Sequence, residues 1–172
     1  MKKVNLFLIL SLIIITNNIF AQGMQPPPPV ESQFIDASLG TWVSEPYDMM
    51  GMKITDEVTH RKILNGQFMT VEIKGTGDNG FVYEALGIIA PSSDGSFAAT
   101  FYDIFGKNAI TTYSGTAKGT NVDFSGVSNW GTESRNITID GNTMTHNVNM
   151  TMKDPTGKEM PPQTFTVKYH KK

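Results

Sequence analysis

The sequence of 172 residues contains no cysteine. This absence excludes a disulfide framework and a lipid-modified N-terminal cysteine, so the fold has to hold by its core alone. The chain also lacks a basic stripe, since its 14 Lys and Arg are scattered among 16 Asp and Glu. Nucleic acid is therefore not an expected partner, because phosphate binding needs clustered positive charge. The motifs of nucleophilic serine and phosphate chemistry are missing too: there is no Gly-x-Ser-x-Gly elbow and no glycine-rich loop that opens a helix.

Long hydrophobic runs are absent except at the N-terminus. Lys2 and Lys3 precede the apolar run "VNLFLILSLIIIT", and the polar break "NNIFAQ" follows it. This three-part pattern predicts a signal peptide over residues 1–22, with cleavage after Ala21 or Gln22. A retained membrane anchor is the alternative, but the run is shorter than the ~20 apolar residues of a spanning helix. We therefore expect a secreted or periplasmic protein with no membrane span after cleavage.

A proline-rich linker is predicted over residues 23–33, before a single domain over residues 34–172. Pro26–Pro29 are four consecutive prolines, which form a stiff and extended polyproline segment. We interpret this segment as a tether, and the alternative is a PxxP ligand for another protein. The stretch "VESQFIDASLG" that follows predicts one helical turn, whose Phe34, Ile35 and Leu39 are available to plug the domain.

From Gly40 onward the chain has the pattern of short strands separated by turns. The pair Asn65-Gly66 is a strong hairpin signal, and its register pairs Arg61 with Thr70. Because the connections are short, consecutive strands are expected to be antiparallel neighbours. The predicted fold is all-β: an antiparallel up-and-down β-barrel of about nine or ten strands with a short N-terminal helical turn, since closure removes the edges of the sheet. A sandwich of two open sheets is the alternative. Beyond the hairpin, the predicted strands cover residues 81–90, 96–105, 109–117, 121–128, 134–140, 143–154 and 163–172.

The stretch "GTW" marks the start of the first strand. Gly40 allows a sharp bend or the close approach of another backbone, and Trp42 can then fill the closed end of the barrel. Together with the preceding helical turn, this arrangement resembles the calycin superfamily of lipocalin-like barrels. In those folds a basic side chain of the last strand commonly lies over the tryptophan, and the resemblance gives that role to Lys171.

Six stretches in order are similar to a bacterial family known as domain of unknown function fifteen-seventy-nine: "LGTW", "ILNGQF", "YEALGIIA", "ATFYDIFG", "TYSGTAKG" and "FTVKYHKK". The resemblance covers nearly the whole domain, and its most distinctive piece is Phe101-Tyr102-Asp103. This chain has Gln67 and Lys171 where members of the family usually have arginine. The resemblance implies a calycin-like barrel and no particular activity.

Five aromatic or polar side chains lie on otherwise apolar strand faces, and we take them as the candidate lining of a ligand site: Tyr83, Phe101, Asp103, Tyr113 and His146. Barrels of about this strand number have room for one small ligand. The sequence therefore predicts non-catalytic binding of a small apolar or amphipathic molecule, and it assigns no catalytic residue, metal or cofactor. The alternative is a filled barrel that acts through its surface or its proline tether, because large methionine and phenylalanine side chains could fill the interior.

Two further hypotheses involve chemistry. His146 shares a strand face with Met144, so it could be an axial haem ligand, as in the nitrobindin-like relatives of this fold; otherwise it is a histidine satisfied by a neighbour at the edge of the core. A hydrolase or isomerase would need convergent carboxylates, and among the mid-strand acids Glu72, Glu84 and Asp103 the candidate pair is Asp103 with Glu84. The three histidines do not pair by spacing with other ligand types, so a zinc site is not expected.

Overall fold

The computed structural model describes residues 26–154 and 156–172, so the predicted signal peptide over residues 1–22 lies outside the described part. Within that part, no helix is long and apolar enough to cross a membrane. A short helix precedes a succession of strands, and a 3-10 turn (Gly106–Ala109) interrupts them. The elements in chain order are α1 (Gln33–Ser38), β1 (Gly40–Ser44), β2 (Tyr47–Met49), β3 (Met52–Ile63), β4 (Phe68–Gly77), β5 (Val82–Pro91), β6 (Ser96–Asp103), β7 (Thr111–Lys118), β8 (Asn121–Ser128), β9 (Gly131–Asp140), β10 (Thr143–Met152) and β11 (Gln163–Lys171).

Ten strands close into an antiparallel barrel. From β3 to β11 each strand pairs with the next one in sequence, and β1 completes the ring. On one side β1 pairs Thr41 with Thr59 of β3, and on the other it pairs Trp42 with Lys171 of β11. The short β2 adds an extra strand on β3. The predicted barrel is confirmed, and the two-sheet sandwich is wrong because the sheet runs round without a break.

A shift in register separates β1 from β2 where both pair with β3. β1 keeps one register with β3 from Gly40 to Val43, which pairs with Glu57. Pairing with β3 resumes at Tyr47, which faces Ile54, and this register is shifted by one residue. At the bend, Ser44 Oγ accepts a hydrogen bond from the backbone N–H of Asp56 at 2.7 Å. An extra residue of this kind bends a strand and re-aims its side chains. Here it brings the hydroxyl of Tyr47 to the carboxylate of Asp56.

The β3–β4 hairpin has the register that the Asn-Gly pair predicts. Arg61 pairs with Thr70, and the ladder ends where Ile63 faces Phe68. The turn at residues 64–67 has positive φ at three successive positions. Asparagine and glycine tolerate this left-handed conformation better than other residues do, which explains why the chain reverses here.

One end of the barrel is plugged by α1. Ser32 caps this helix by accepting a hydrogen bond from the backbone N–H of Ile35, and Phe34 and Ile35 are buried. Trp42 is 0% exposed, and its indole N–H donates to the carbonyl oxygen of Ser38 at 2.6 Å. We call this end the closed half; it comprises the buried apolar side chains that pack with α1, chiefly Phe34, Ile35, Trp42, Met69, Phe97, Val122, Phe124, Ile139 and Met144.

The prediction that Trp42 fills the closed end of the barrel is confirmed, whereas the predicted end of β6 is wrong. Trp42 fills the closed end as predicted, and Lys171 Nζ lies over its ring, 5.1 Å from the centroid. The predicted strand 96–105 is too long, because β6 ends at Asp103 and Phe105 is exposed. The cause is local: the backbone N–H of Phe105 donates to the Asp103 carboxylate at 2.9 Å, a turn that competes with strand pairing.

The described part of the proline-rich linker lies against the β3–β4 turn. The side-chain amide of Gln67 donates to the carbonyl oxygen of Pro27, and the ring of Pro29 packs on Gly66. The helix α1 begins at Gln33, the last residue of the predicted linker.

Candidate ligand-binding site

The half of the barrel opposite α1 has an interior of aromatic and polar side chains. They point inward because side chains alternate between the two faces of each strand, as Phe101 and Asp103 do on β6. Unlike the closed half, much of this lining keeps accessible surface: the side chains of Glu133 and Arg135 retain 15% and 26% of theirs. We call this region the cup. Its lining comprises Tyr47, Asp56, Tyr83, Phe101, Asp103, Tyr113, Glu133, Arg135, His146, Phe165 and Tyr169.

Two aromatic rings lie flat on the cup wall because the residues opposite them are glycines. Phe101 faces Gly87 across β5 and β6, and Tyr113 faces Gly126 across β7 and β8. A Cβ atom on either glycine would lie 2.4 Å from the nearest ring atom, so only glycine admits the rings at these positions. The two rings meet edge to face with centroids 5.3 Å apart. Their bulk therefore stays at the wall rather than across the lumen.

The tyrosine hydroxyls of the cup donate to carboxylates. Asp56 accepts hydrogen bonds from Tyr47 at 2.8 Å and from Tyr169 at 3.2 Å. Asp103 accepts one from Tyr83 at 3.5 Å. Burial raises the pKa of Asp56 above its ordinary value, although both tyrosine hydrogen bonds act in the opposite direction. Burial also raises the pKa of the three hydroxyls, so they remain protonated donors at neutral pH.

Arg135 is the permanently charged cation of the cup, and it joins several lining residues into one network. Its Nε–H donates to Glu133 at 2.7 Å, and its Nη1–H donates to Nδ1 of His146 at 3.2 Å. The hydroxyl of Tyr113 donates to the other oxygen of Glu133 at 3.3 Å. Burial opposes the charge on the guanidinium, but the Glu133 carboxylate together with Tyr113 and Tyr169 outweighs this effect, so the pKa of Arg135 is raised.

The contact with Arg135 determines which nitrogen of His146 carries the proton. A guanidinium can only donate, so Nδ1 of His146 accepts and the ring proton is assigned to Nε2. Burial and the charge of Arg135 hold the pKa of His146 well below its ordinary value, so the ring is neutral. Its Nε2 is buried and has no hydrogen-bond partner among the described residues. The packed interior beside the cup thus contains a donor that lacks an acceptor among the described residues.

His60 is also buried but differs from His146 in having a partner. Its Nδ1 lies 3.0 Å from the carbonyl oxygen of Ser38, so this nitrogen donates and His60 belongs to the plug of the closed half. Burial lowers the pKa of His60 to about 4, although the hydrogen bond to Ser38 acts against this shift. Both rings are neutral at physiological pH, and only His146 presents an unpartnered proton.

The structure brings all five side chains of the predicted site into the cup, namely Tyr83, Phe101, Asp103, Tyr113 and His146. The sequence reasoning missed the rest of the polar network, namely Tyr47, Asp56, Glu133, Arg135 and Tyr169. Glu133 and Arg135 had a readable signal, because they alternate with the apolar Ile137 and Ile139 on β9. The predicted strand began at residue 134 and so left Glu133 out. Asp56 alternates with buried residues of β3 in the same way.

The candidate catalytic pair is wrong. Asp103 faces the cup, whereas Glu84 faces outward and lies 3.8 Å from Lys74 in an exposed ion pair. Glu72 is also exposed and pairs with a surface arginine. The reason is the two-residue alternation of the strands: Glu84 directly follows the inward-facing Tyr83, so it must point to the opposite face.

The cup residues do not fit a haem held by His146. If Nε2 bound iron, the ring proton would move to Nδ1, which already faces an N–H of Arg135 at 3.2 Å. Two donors would then oppose each other, whereas a ligating histidine usually gives that proton to a carboxylate, a carbonyl or water. Among the residues that the structure describes, no three His, Asp or Glu side chains are grouped so as to hold a metal ion.

Two shallow depressions elsewhere on the barrel carry no comparable chemistry. One, of about 160 Å³, lies beside the first turn of α1 between Glu31 and Ser92. The other, of about 120 Å³, lies between Val127 and Lys153 at the strand ends of the opposite half. The residues around them form no network of buried polar groups like that of the cup. We therefore place the candidate site in the cup.

No family model and no curated protein matches the chain. Among solved structures, it is similar to the crystal structure of Rv2717c from M. tuberculosis, with 13% identity and a TM-score of 0.61 over 83% of this chain and 99% of that one. It also matches a de novo designed fluorescence-activating β-barrel, with 12% identity and a TM-score of 0.45 over 83% of this chain and 100% of that one. A third similar structure is a redesigned β-barrel, mFAP1, bound to DFHBI. It has 12% sequence identity and a TM-score of 0.45 over 82% of this chain and 100% of that one. The likeness to Rv2717c shows the fold alone.

Proposed function

We propose that this protein binds one small amphipathic molecule in the cup and performs no chemistry on it. The observation that carries the proposal is the contrast in packing inside one barrel. Side chains of the closed half are fully buried, whereas most of the cup lining is aromatic or polar and keeps accessible surface. Concave, mostly apolar walls with a few placed polar groups are typical of small-molecule sites.

The aromatic walls supply the apolar contact. Phe101 and Tyr113 lie edge to face on one side, and the rings of Tyr47 and Phe165 are stacked 5.7 Å apart on another. Rings of this kind offer large apolar area at a low cost in side-chain entropy. The polar end of the ligand is expected at Arg135, whose guanidinium carries N–H groups and whose side chain keeps 26% of its surface accessible.

The biological setting follows from the sequence and stays part of the proposal. The charged head, apolar run and polar break over residues 1–22 support export, so we propose that the molecule is held outside the cytoplasm. Membership of the family known as domain of unknown function fifteen-seventy-nine remains a prediction.

The direct test is native mass spectrometry of the protein purified, without denaturation, from the cells that make it. A stoichiometric extra mass of a small molecule is the expected result. A titration of the purified protein with the neutral fluorophore N-phenyl-1-naphthylamine should saturate at one site per chain. A bare mass together with no saturable fluorescence change would contradict the proposal and favour the filled barrel.

A pair of leucine substitutions locates the site. Gly87→Leu would drive its new side chain into the ring of Phe101 and push that ring into the lumen, so the fluorophore should no longer bind. Ala98→Leu adds the same side chain to an exposed position of the neighbouring β6 and should leave binding unchanged. Circular dichroism on both variants checks that the barrel is intact. Equal loss of binding in the two variants would place the fluorophore outside the cup.

A further inference from the structure

The large apolar side chains that stay exposed are concentrated at the open end of the barrel. Among the described residues there are nine of them, and six surround the opening of the cup, where we call them the rim: Met50, Val82, Ile104, Phe105, Val127 and Trp130. Two more, Leu86 and Tyr102, face each other on the outer wall of β5 and β6, and Leu64 lies at the closed end. Single exposed apolar residues are ordinary, whereas a group of them around one opening is typical of a docking surface.

The two aromatic residues of the rim project from separate connections. Phe105 follows β6 and is 59% exposed, although its ring centroid lies 6.5 Å from that of Tyr83. Trp130 lies in the turn between β8 and β9 and is 41% exposed. Neither side chain belongs to the buried core. Phenylalanine and tryptophan in such positions are typical of segments that insert at the boundary between lipid and water.

The charges around the rim are mixed and balanced. Four lysines and four acidic residues lie at this end of the barrel: Lys53, Lys107, Lys153, Lys158, Asp48, Asp78, Asp154 and Glu159. None of these lysines forms an ion pair with another described residue, whereas Lys62, Lys74, Lys168 and Lys172 elsewhere on the barrel each do. A surface that carries both signs equally complements a zwitterionic headgroup layer. An anionic layer would attract the lysines and repel the carboxylates to a similar extent.

The arrangement of the rim favours a lipid surface over a protein partner. Specific protein interfaces use about 20–30 residues on each side and have a contiguous, closely packed centre. The rim offers six apolar side chains on separate strand ends and connections, and the opening of the cup lies at their centre. A bilayer surface does not need to match this shape, because each side chain can enter it separately.

We propose that the rim docks this protein on a zwitterionic lipid bilayer, with Phe105 and Trp130 inserted among the headgroups. The docking needs no ligand, so it stands independently of the function proposed above. Combined with that function, it explains why the apolar side chains surround the cup. The cup then opens directly onto the bilayer, and an amphipathic molecule passes between the two without crossing water.

Tryptophan fluorescence tests the insertion. The chain contains two tryptophans, and Trp42 is completely buried at the closed end, so Trp130 is the one that can respond. We expect vesicles of phosphatidylcholine to shift the emission to shorter wavelength, and vesicles of brominated phosphatidylcholine to quench it. The variant Trp130→Phe keeps an aromatic ring in the rim but not the reporter. It should show neither change and should still sediment with the vesicles.

Sedimentation with phosphatidylcholine vesicles tests the rim by substitution. The double variant Phe105→Ala and Trp130→Ala should lower the partition coefficient by about tenfold or more, because it removes the two largest apolar side chains of the rim. The control is Leu64→Ala, which removes the side chain that is 69% exposed at the closed end and should leave partitioning unchanged. Circular dichroism checks that the barrel is intact in both variants.

The headgroup charge is tested with the native sequence. Replacing part of the phosphatidylcholine with phosphatidylglycerol should change the partition coefficient by less than about threefold, and added salt should have little effect. A strong increase with phosphatidylglycerol that salt abolishes would overturn the zwitterionic assignment.

The remaining outcomes separate the docking from the proposed function. Binding that survives in the double variant would place the lipid contact elsewhere in the chain, including residues 1–22, and the proposal would be wrong. A dimer that forms without lipid and is lost in the double variant would assign the rim to a second copy of the chain. If the vesicles do not bind but native mass spectrometry shows the extra mass, the ligand function stands and the docking is wrong.

Discussion

The two halves of this barrel are built from the same strands and yet differ in how they are filled. On β6, Phe97 and Ala99 lie in the closed half and are 4% and 5% exposed. Phe101 and Asp103 come next on the same face of the strand and keep accessible surface. The backbone and the side-chain alternation are unchanged between them. The difference lies in the residues: interlocking apolar side chains fill one half, and aromatic rings stand beside hydroxyls and paired charges in the other. One sheet can therefore hold the fold together at one end and present a site at the other.

The polar groups are divided in the same way. The closed half satisfies its few buried polar atoms internally, as Ser38 does by accepting from both Trp42 and His60. The cup satisfies its carboxylates with tyrosine hydroxyls and leaves the Nε2–H of His146 without a partner. Unsatisfied polarity is thus confined, among the described residues, to the half that we propose as the site.

The largest expected effect comes from emptying the closed half. Trp42→Ala removes a completely buried indole and its hydrogen bond to Ser38, so the free energy of unfolding should fall by about 3–5 kcal/mol. Phe101→Ala in the cup removes a partly exposed ring and should cost about half of that or less. Urea denaturation of the two variants measures the difference. Equal losses would mean that the cup is packed like the closed half.

The next largest effect is a loss of stability in acid, and it is caused by His60 in the closed half. The pKa of His60 is about 4 in the folded protein against 6.5 ordinarily, so protonation favours the unfolded chain. Its contribution is complete above pH 6.5, declines as the pH falls from 6.5 to 4, and amounts to about 3 kcal/mol over that window. His146 acts in the same direction, whereas the raised pKa of Asp56 acts in the opposite one.

The variant His60→Asn isolates the contribution of His60. Asparagine can place an N–H where Nδ1 donates to Ser38, but it does not titrate. Urea denaturation between pH 7 and pH 4 should show a shallower loss of stability in this variant than in the native protein. An unchanged slope would show that His60 is not buried in its neutral form.

The smallest expected effect is the difference in coupling free energy between an ion pair in the cup and an ion pair on the outside of the barrel. Arg61 and Glu72 are 62% and 51% exposed, so their coupling free energy should be about 0.5 kcal/mol or less. Arg135 and Glu133 are shielded by the barrel and should couple by roughly 1–2 kcal/mol, after allowance for their residual exposure. Double-mutant cycles with alanine measure both. A stronger coupling outside than inside would contradict the account of the cup.

The fold was predictable because its signals are local. The Asn65-Gly66 turn, the short connections and the alternation on β6 and β10 predict an antiparallel closed sheet, and the position of Trp42 predicts which end is filled. The end of β6 was not predictable from alternation alone. Asp103 turns the chain by accepting from the N–H of Phe105, a contact that competes with the strand period.

The site was predictable only as separate inward positions. Tyr83, Tyr113 and His146 stand out because they interrupt apolar strand faces, but their partners lie on strands far away in sequence. Tyr169, for example, reaches Asp56 across 113 positions of the chain. The tautomer of His146 depends on such a long-range contact, since it is fixed by Arg135 on the neighbouring strand.

The central claim is that the cup is accessible to a molecule of ligand size and that the closed half is not. Paramagnetic broadening of aromatic ring signals by the neutral nitroxide TEMPOL tests this most directly. We expect the rings of Phe101 and Tyr113 to broaden nearly as much as that of the exposed Tyr102, while Phe97 and Phe124 stay sharp. If Phe101 and Tyr113 are as protected as Phe97, the barrel is filled from end to end and the account fails.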